Sequence, residues 1–359
     1  MPFPSSISIH KMQQPLLFSI FFFFLGFASA DYLQNSDFES LPKNVTRNSS
    51  VAFVLLNENN TIPGCTFQGT VQYVTAGRTV ALPDNGHAIE TRVGSQRPDN
   101  QGVFSFKQHY GKQAWQSYGQ YLGLSGQEES VNLVFESQSV ESEDNSTCWP
   151  VIDSLLVKVV DKLVQGKDNL LLNGGFESGP EFLSNSTEGI LLDSTLSLVE
   201  SPLRQWAVVG TIRYIDSKHF FVPHGNAAVE IVSGVSAGIH TEVSLSQGSA
   251  YNLDFTLGDA NNACEGDFIV EVQAGSVVQN FTIRSNGTGS AEKSSIKFKA
   301  GSSATPISFS SFTSSQTKDG IFCGPVVDDV VLLSSNSPKI EIKPSILISL
   351  LLLIVILWY

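Results

Sequence analysis

The apolar positions of this chain repeat every two residues rather than with a helical period. In the C-terminal half, Ala227 to Val232, Gly238 to Leu245, Ala250 to Leu257, Asp267 to Gln273, Val277 to Ile283, Ser294 to Lys299, Ile307 to Phe312 and Val326 to Leu333 alternate apolar with polar residues or are rich in β-branched side chains. Gly, Ser and Asn separate these runs, as turns require. No segment there keeps a 3.6-residue apolar period over three turns, so helices are not expected. Eight strands in about 165 residues predict a jelly roll, in which two sheets pack face to face and few edges stay open.

The N-terminal half repeats this pattern. Asn35-Ser36-Asp37-Phe38-Glu39-Ser40 returns as Asn173-Gly174-Gly175-Phe176-Glu177-Ser178, 138 residues on, and Gly69-Thr70-Val71-Gln72-Tyr73-Val74 returns as Gly210-Thr211-Ile212-Arg213-Tyr214-Ile215, 141 residues on. Pro83 to Ala88 matches Pro223 to Ala228 at about the same offset. Cys148-Trp149-Pro150-Val151-Ile152-Asp153, however, matches Cys323-Gly324-Pro325-Val326-Val327-Asp328 at an offset of 175, so about 36 residues of the second copy have no counterpart in the first. The missing block corresponds to strands around Ala250 to Val272. The expected architecture is therefore all-β with two tandem β-sandwiches: residues 31–160, shortened, and residues 169–333, complete, joined by a polar linker at 161–168.

Both ends depart from this pattern. His10 and Lys11 precede an apolar run from Leu16 to Phe27 and then Ala28-Ser29-Ala30, the order of a secretion signal cleaved before Asp31. The run is about 12 residues, too short to cross a hydrocarbon core of about 30 Å. A second apolar block, Ile346 to Tyr359, follows the small residues Ser334, Ser335, Asn336 and Ser337 and a polar spacer, as a GPI-attachment signal does, with Ser335 the expected attachment site. A short single-span anchor is the alternative. Seven N-x-S/T sequons, at Asn44, Asn48, Asn59, Asn145, Asn185, Asn280 and Asn286, predict glycans on surface segments of a secreted chain.

Charge narrows the partners. The net charge is −13, and about −15 between Asp31 and Ser335, which argues against DNA, RNA or an anionic membrane surface as a partner. Neutral polysaccharide or a basic protein is the easier match, and de-esterified pectin would need calcium to bridge it.

The four cysteines, Cys65, Cys148, Cys264 and Cys323, sit in an oxidising compartment by this reading. Cys264 and Cys323 are expected to pair, closing a loop of 60 residues. Cys148 aligns with Cys323, but the counterpart of Cys264 falls in the missing block; Cys65 aligns with Trp206, a position expected to be a buried aromatic. A Cys65–Cys148 bond is the expectation, with free thiols as the alternative.

Catalytic patterns are weak. Gly234-Val235-Ser236-Ala237-Gly238 has the G-x-S-x-G form, yet a strand and not a helix is expected after it, which denies the nucleophile elbow. His219 and His224 belong to no zinc-ligand pattern. Glu177 in the opening motif and Asp328 and Asp329 in the closing strand are candidates to share a structural calcium ion, because first and last strands of a jelly roll often adjoin; Glu39 and Asp153 are the analogous pair in the first copy.

The N-G-x-F-E opening, the H-F-x-V-P-x-G-x-x-A-V-E run from His219 to Glu230 and the C-G-P-x-x-D-D-V close from Cys323 to Val330 resemble the plant cell-wall family catalogued as domain of unknown function 642. The resemblance implies two galactose-binding-like jelly rolls, no established catalytic residues, and residence in the cell wall with association to cellulose, hemicellulose and pectin methylesterase regulation. Two departures stand out: the shortened first copy, and Cys65 in the Ile62-Pro63-Gly64-Cys65 stretch where the family has an aromatic. The expected protein is a non-enzymatic wall and cell-surface binder of polysaccharide. The alternative is an adaptor for a wall enzyme such as a pectin methylesterase, and a glycan-active enzyme is the third reading.

Overall fold

A computed structural model describes residues 6–9, 33–43, 45, 52–57, 59, 61–67, 69–76, 87–92, 115–121, 133–136, 151–158, 163, 165, 169–184, 186–192, 194, 198, 201–232 and 237–335. All regular structure among the described residues is strand, and the strands are numbered here in chain order.

Residues 169–335 build two facing sheets. One has five strands in the order β10 (Ala207–Val209), β13 (Ala237–Ser244), β18 (Ala304–Ser311), β15 (Glu265–Ala274) and β16 (Val277–Asn286). The other has seven, in the order β17 (Ser290–Lys299), β14 (Ala250–Asp259), β21 (Val326–Ser334), β12 (Ala227–Ile231), β11 (Ile212–Asp216), β9 (Ile190–Leu192) and β6 (Ser117–Tyr118). A short ribbon of β19 (Ser315–Gln316) and β20 (Phe322–Cys323) covers one flank. All eight strands expected from the alternation in this half are present.

The alternation explains the packing. On β15, Phe268, Val270, Val272 and Ala274 are buried, while Asp267, Ile269, Glu271 and Gln273 face away. On β14, Tyr251, Leu253, Phe255 and Leu257 point into the same core. Phe255 meets Phe281 and Phe309 edge-on, each at 5.2 Å, and Trp206 lies 5.4 Å from Phe176. Each fully buried aromatic of this kind contributes roughly 1.5–3 kcal/mol from removed apolar area. The hairpin from β15 to β16 turns in two residues, Gly275 and Ser276, and Gly275 takes the positive φ such a turn needs.

The N-terminal half is smaller. A four-stranded sheet has the order β2 (Phe53–Leu55), β4 (Thr70–Thr75), β5 (His87–Arg92), β8 (Val151–Ile152), and a three-stranded sheet the order β3 (Cys65–Phe67), β1 (Ser6–Ile9), β7 (Leu133–Glu136). Leu33, Phe38, Leu56, Ile62, Cys65, Val71 and Tyr73 form its core. Ser6–Ile9 falls within the stretch expected to be a secretion signal, so a chain starting at Asp31 would leave β3 and β7 without the strand between them.

One finding departs from separate tandem sandwiches. The segment carrying β6 lies in the first copy by sequence, yet β6 runs parallel to β9 and extends the second copy's sheet. Tyr118 packs against Leu191, Val232 and Phe322, and Gly119 fits because a Cβ there would come within 2.8 Å of Leu192 and Pro180 side chains. The linker at 161–168 lies mostly outside the described residues.

Candidate functional site

The repeated motifs meet one another in both copies. Asn35 and Asn173 each take a positive φ, as do Phe38 and Phe176 three residues on, a conformation that costs a phenylalanine about 1 kcal/mol or more. The asparagine side chain holds the turn: its Oδ1 accepts the Ser40 or Ser178 N–H, and its Nδ2 donates to Pro63 O in one copy and Leu203 O in the other. The tyrosine that both copies carry in the next motif then donates to the strained phenylalanine's carbonyl, Tyr73 to Phe38 at 2.6 Å and Tyr214 to Phe176 at 2.7 Å. The closing motif completes the knot, with Leu155 N donating to Ser36 O and Val330 N to Gly174 O. Opening, middle and closing motifs thus form one structural staple per copy.

The same staple engages the carboxylates expected to share a calcium ion. Glu177 is spent on a turn: Oε1 accepts the Asn226 N–H at 2.7 Å and Oε2 the Asn226 Nδ2 at 3.0 Å. An extra residue in β21 opposite β14 makes a bulge at Asp329, which lets Val327 and Val330 both face the core while Asp328 points to the other side. The Asp328 carboxylate is fully buried and accepts the His224 and Asp329 N–H groups. Burial pushes it from 3.8 up to about 7 despite those two bonds. Asp329 instead faces Lys293 at 3.2 Å. The three carboxylates are divided among backbone amides and a lysine, and no group of three or more His, Cys, Asp or Glu among the described residues is arranged to hold a metal ion.

A second cluster lies on the outer face of the seven-stranded sheet. Arg213 and Glu230 form a buried ion pair at 2.7 Å. Glu230 Oε1 also accepts Asn262 Nδ2 at 2.7 Å and Gly324 N at 3.1 Å. These two donors flank Cys264 and Cys323, which are joined as expected. The disulfide and the glutamate therefore fasten the same two loops over the sheet, and the buried acid of the A-V-E motif is structural.

The other disulfide expectation fails. Cys65 is a free, buried thiol, pushed from 9.0 up to about 11 by burial, and Cys148 lies outside the described residues. Cys65 packs among Leu33, Phe38, Ile62 and Tyr73 as a small apolar residue. It holds the place that Trp206 fills in the second copy, where the indole N–H donates to Asn173 O.

Other sequence candidates are scattered. His219 Nδ1 contacts Asp216 at 3.0 Å, and His224 uses only its backbone N–H on Asp328. Gly238 and His240 lie on β13, so the G-x-S-x-G run leads into a strand. Of the sequons, Asn59, Asn280 and Asn286 are exposed, and Asn44, Asn48, Asn145 and Asn185 are outside the described residues. Ser335 is exposed at the end of β21, its N–H on Ala250 O.

What the sequence did not mark is the outer face of the five-stranded sheet. One row across it reads Ala207, His240, Ser308, Gln273, Val278, and the next Val209, Gly238, Ser310, Glu271, Asn280. The middle is low: a Cβ at Gly238 would sit 2.2 Å from Phe309 O, and Ser308 and Ser310 offer only hydroxyls. His240 and Val209 flank this low strip on one side and Gln273 and Glu271 on the other, and the strip between them forms the trough. Gln273 is positioned by its amide donating to Gly275 O and accepting from Ser308 Oγ. At one end Phe312, 47 % exposed, stands by Ile269, 37 % exposed, with the Phe312 N–H on Ile269 O. An apolar platform beside a line of neutral amides, hydroxyls and one carboxylate suits a polyhydroxylated, uncharged ligand.

Among known proteins, the profile of the family described as "Protein of unknown function (DUF642)" matches residues 31–96, 90–158 and 169–333. The second copy matches in one piece, whereas the first matches in two pieces that overlap at 90–96. Similar Arabidopsis thaliana proteins include Protein DUF642 L-GALACTONO-1,4-LACTONE-RESPONSIVE GENE 2, 35% identical over 68% of this chain and 66% of that one, and Protein TEEBE, 36% identical over 56% and 55%. The first of these is thus matched over just under two thirds of its length and the second over about half. Solved structures with partial likeness are TmCBM61 in complex with β-1,4-galactotriose, 18% identical over 46% of this chain and 99% of that one with a TM-score of 0.29, and the CBM22-1 xylan-binding domain of Paenibacillus barcinonensis Xyn10C, 12% identical over 48% and 99% with a TM-score of 0.27. With its profile matched from residue 31 to 158 and from 169 to 333, the chain belongs to the DUF642 family.

Proposed function

We propose that this protein is a non-enzymatic, secreted binder of neutral wall polysaccharide of the cellulose or hemicellulose type, and that it holds the glycan along the trough of the five-stranded sheet. The observation that carries the reading is the pairing of the exposed Phe312 and Ile269 with the row of Gln273, Ser308 and His240. The aromatic ring offers its face to the C–H side of a sugar, and the polar row meets the hydroxyls. Glu230 and Asp328, the buried acids of the repeated motifs, are engaged in structural contacts and do not reach this face.

The test is retention of the secreted protein on cellulose and on soluble xyloglucan. Phe312→Ala is expected to weaken binding about tenfold, the value of one aromatic contact. Equal binding by wild type and Phe312→Ala, or no binding to any neutral glycan, refutes the reading.

The net charge of −13 supports a second reading, an adaptor that recruits a basic wall enzyme such as a pectin methylesterase. Binding that persists unchanged as salt rises removes that rationale. Display on the outer membrane face through a GPI anchor at Ser335 fits either reading, and release by a phosphatidylinositol-specific phospholipase tests it.

A further inference from the structure

We infer that Asn280 carries an N-glycan that sets how much of the five-stranded face is open to a ligand. The inference rests on the sugar-binding reading of that face. Asn280 is exposed on β16, within the sequence Asn280-Phe281-Thr282. Strand alternation puts Asn280 and Thr282 on the outer face and Phe281 inward against Phe255, so the acceptor amide and its hydroxyl partner are presented together to solvent.

Position in the sheet gives the consequence. Asn280 is opposite Glu271, Glu271 is opposite Ser310, and Ser310 is opposite Gly238 at the floor of the trough. Strands are about 4.8 Å apart, so Asn280 stands only about 10 Å from the Ser310 strand. A branched oligosaccharide rooted there shields the β15–β16 half of the face and leaves the β10–β18 half open. It also covers Val278, 52 % exposed on the same face, and flanks β16, the edge strand that pairs with β15 on one side only. Exposed apolar edge strands invite pairing with another chain, and a glycan blocks that approach. Asn286 serves as a contrast: it lies at the end of β16, where its Oδ1 accepts the Thr288 N–H and hydroxyl in the turn.

The glycan arrives from a lipid-linked oligosaccharide donor. The Asn280 amide nitrogen bonds to the first sugar carbon, the lipid pyrophosphate leaves, and one amide proton is released.

The experiment uses the full chain secreted from a plant or other eukaryotic host. Peptide mass mapping reads occupancy at Asn280, and affinity electrophoresis in soluble xyloglucan compares wild type with Asn280→Gln, Thr282→Ala, Asn286→Gln and Phe312→Ala. Expected are occupancy at Asn280, several-fold tighter binding by both Asn280→Gln and Thr282→Ala, and no change for Asn286→Gln. An unoccupied Asn280, or unchanged binding by Asn280→Gln while Phe312→Ala still weakens it, overturns the glycan inference and leaves the face. Indifference to Phe312→Ala as well overturns the face itself.

Discussion

Replacing Asp328 with asparagine should abolish a specific part of the protein's pH-dependent stability. The carboxylate is fully buried and is raised from 3.8 to about 7, chiefly by burial. Below pH 4 both folded and unfolded chains hold the proton. Between pH 4 and 7 the folded chain keeps a proton that the unfolded chain has lost, so stability declines as pH rises through this window and levels off above it. About three pKa units at 1.36 kcal/mol each give a decline of about 4 kcal/mol. For a domain of this size that is a fall in Tm of roughly 10 °C.

The assay is thermal or urea unfolding of wild type and Asp328→Asn at intervals from pH 4 to 8. Asparagine keeps one acceptor for the His224 or Asp329 N–H but cannot ionise, so the variant loses one bond at every pH. Titrating groups remote from Asp328, including the equivalent Asp153, cancel in the difference between the two proteins. Wild type minus variant should therefore shrink by about 4 kcal/mol on going from pH 4 to 8. A difference that is flat, or that grows with pH, refutes the argument that burial dominates the two backbone hydrogen bonds.

Three further outcomes follow from the packing. Changing Cys264 and Cys323 together to alanine should cost about 4 kcal/mol by the loop-entropy argument, read as a lowered urea midpoint, because a separation of 59 residues is no longer closed. Glu230→Gln should destabilise by about 3–5 kcal/mol, because it leaves the buried Arg213 charge uncompensated; the double change Arg213→Met with Glu230→Leu should recover part of that loss in the same assay. Cys65 should resist an aromatic disulfide reagent in the native protein at pH 8 and react promptly in denaturant, since burial raises its thiol to about 11.

The strands of the second copy were legible because each repeats apolar and polar positions at the period the pleat imposes, as Phe268, Val270, Val272 and Ala274 show. The Cys264–Cys323 bond was legible from compartment and count. The partnership of Glu177, Asp328 and Asp329 was not, because sequence shows that carboxylates will be near each other and does not show which backbone N–H groups reach them first. Nor was β6, whose two residues carry no periodicity and are held by contacts with Leu191 and Phe322 far away in sequence. Cys65 misled by its type: a cysteine in an oxidising setting suggests a bridge, but its site demanded an apolar filler.

The residues that stand out in the repeat and the residues that face a ligand belong to different parts of the fold, and the reason is physical. A strained Phe176 and a buried Glu230 tolerate few substitutes, so the first copy spells them alike, as Phe38 and Glu90, whereas at the bulge the two copies share the positive φ and differ in the residue, Asp329 against Ser154. The trough rests on β13, β15 and β18, where outward side chains such as Gln273, Glu271 and Ser310 lie outside the core and carry little of its packing. The block absent from the first copy corresponds to the region around Ala250 to Val272, which includes β14 and most of β15. By the sequence offset Ile269 and Glu271 have no counterparts in the first copy, while its staple, built from Asn35, Phe38, Tyr73 and Leu155, stays intact. The first copy thus keeps the contacts that fold the unit, and the proposed ligand face is built from residues of the second copy.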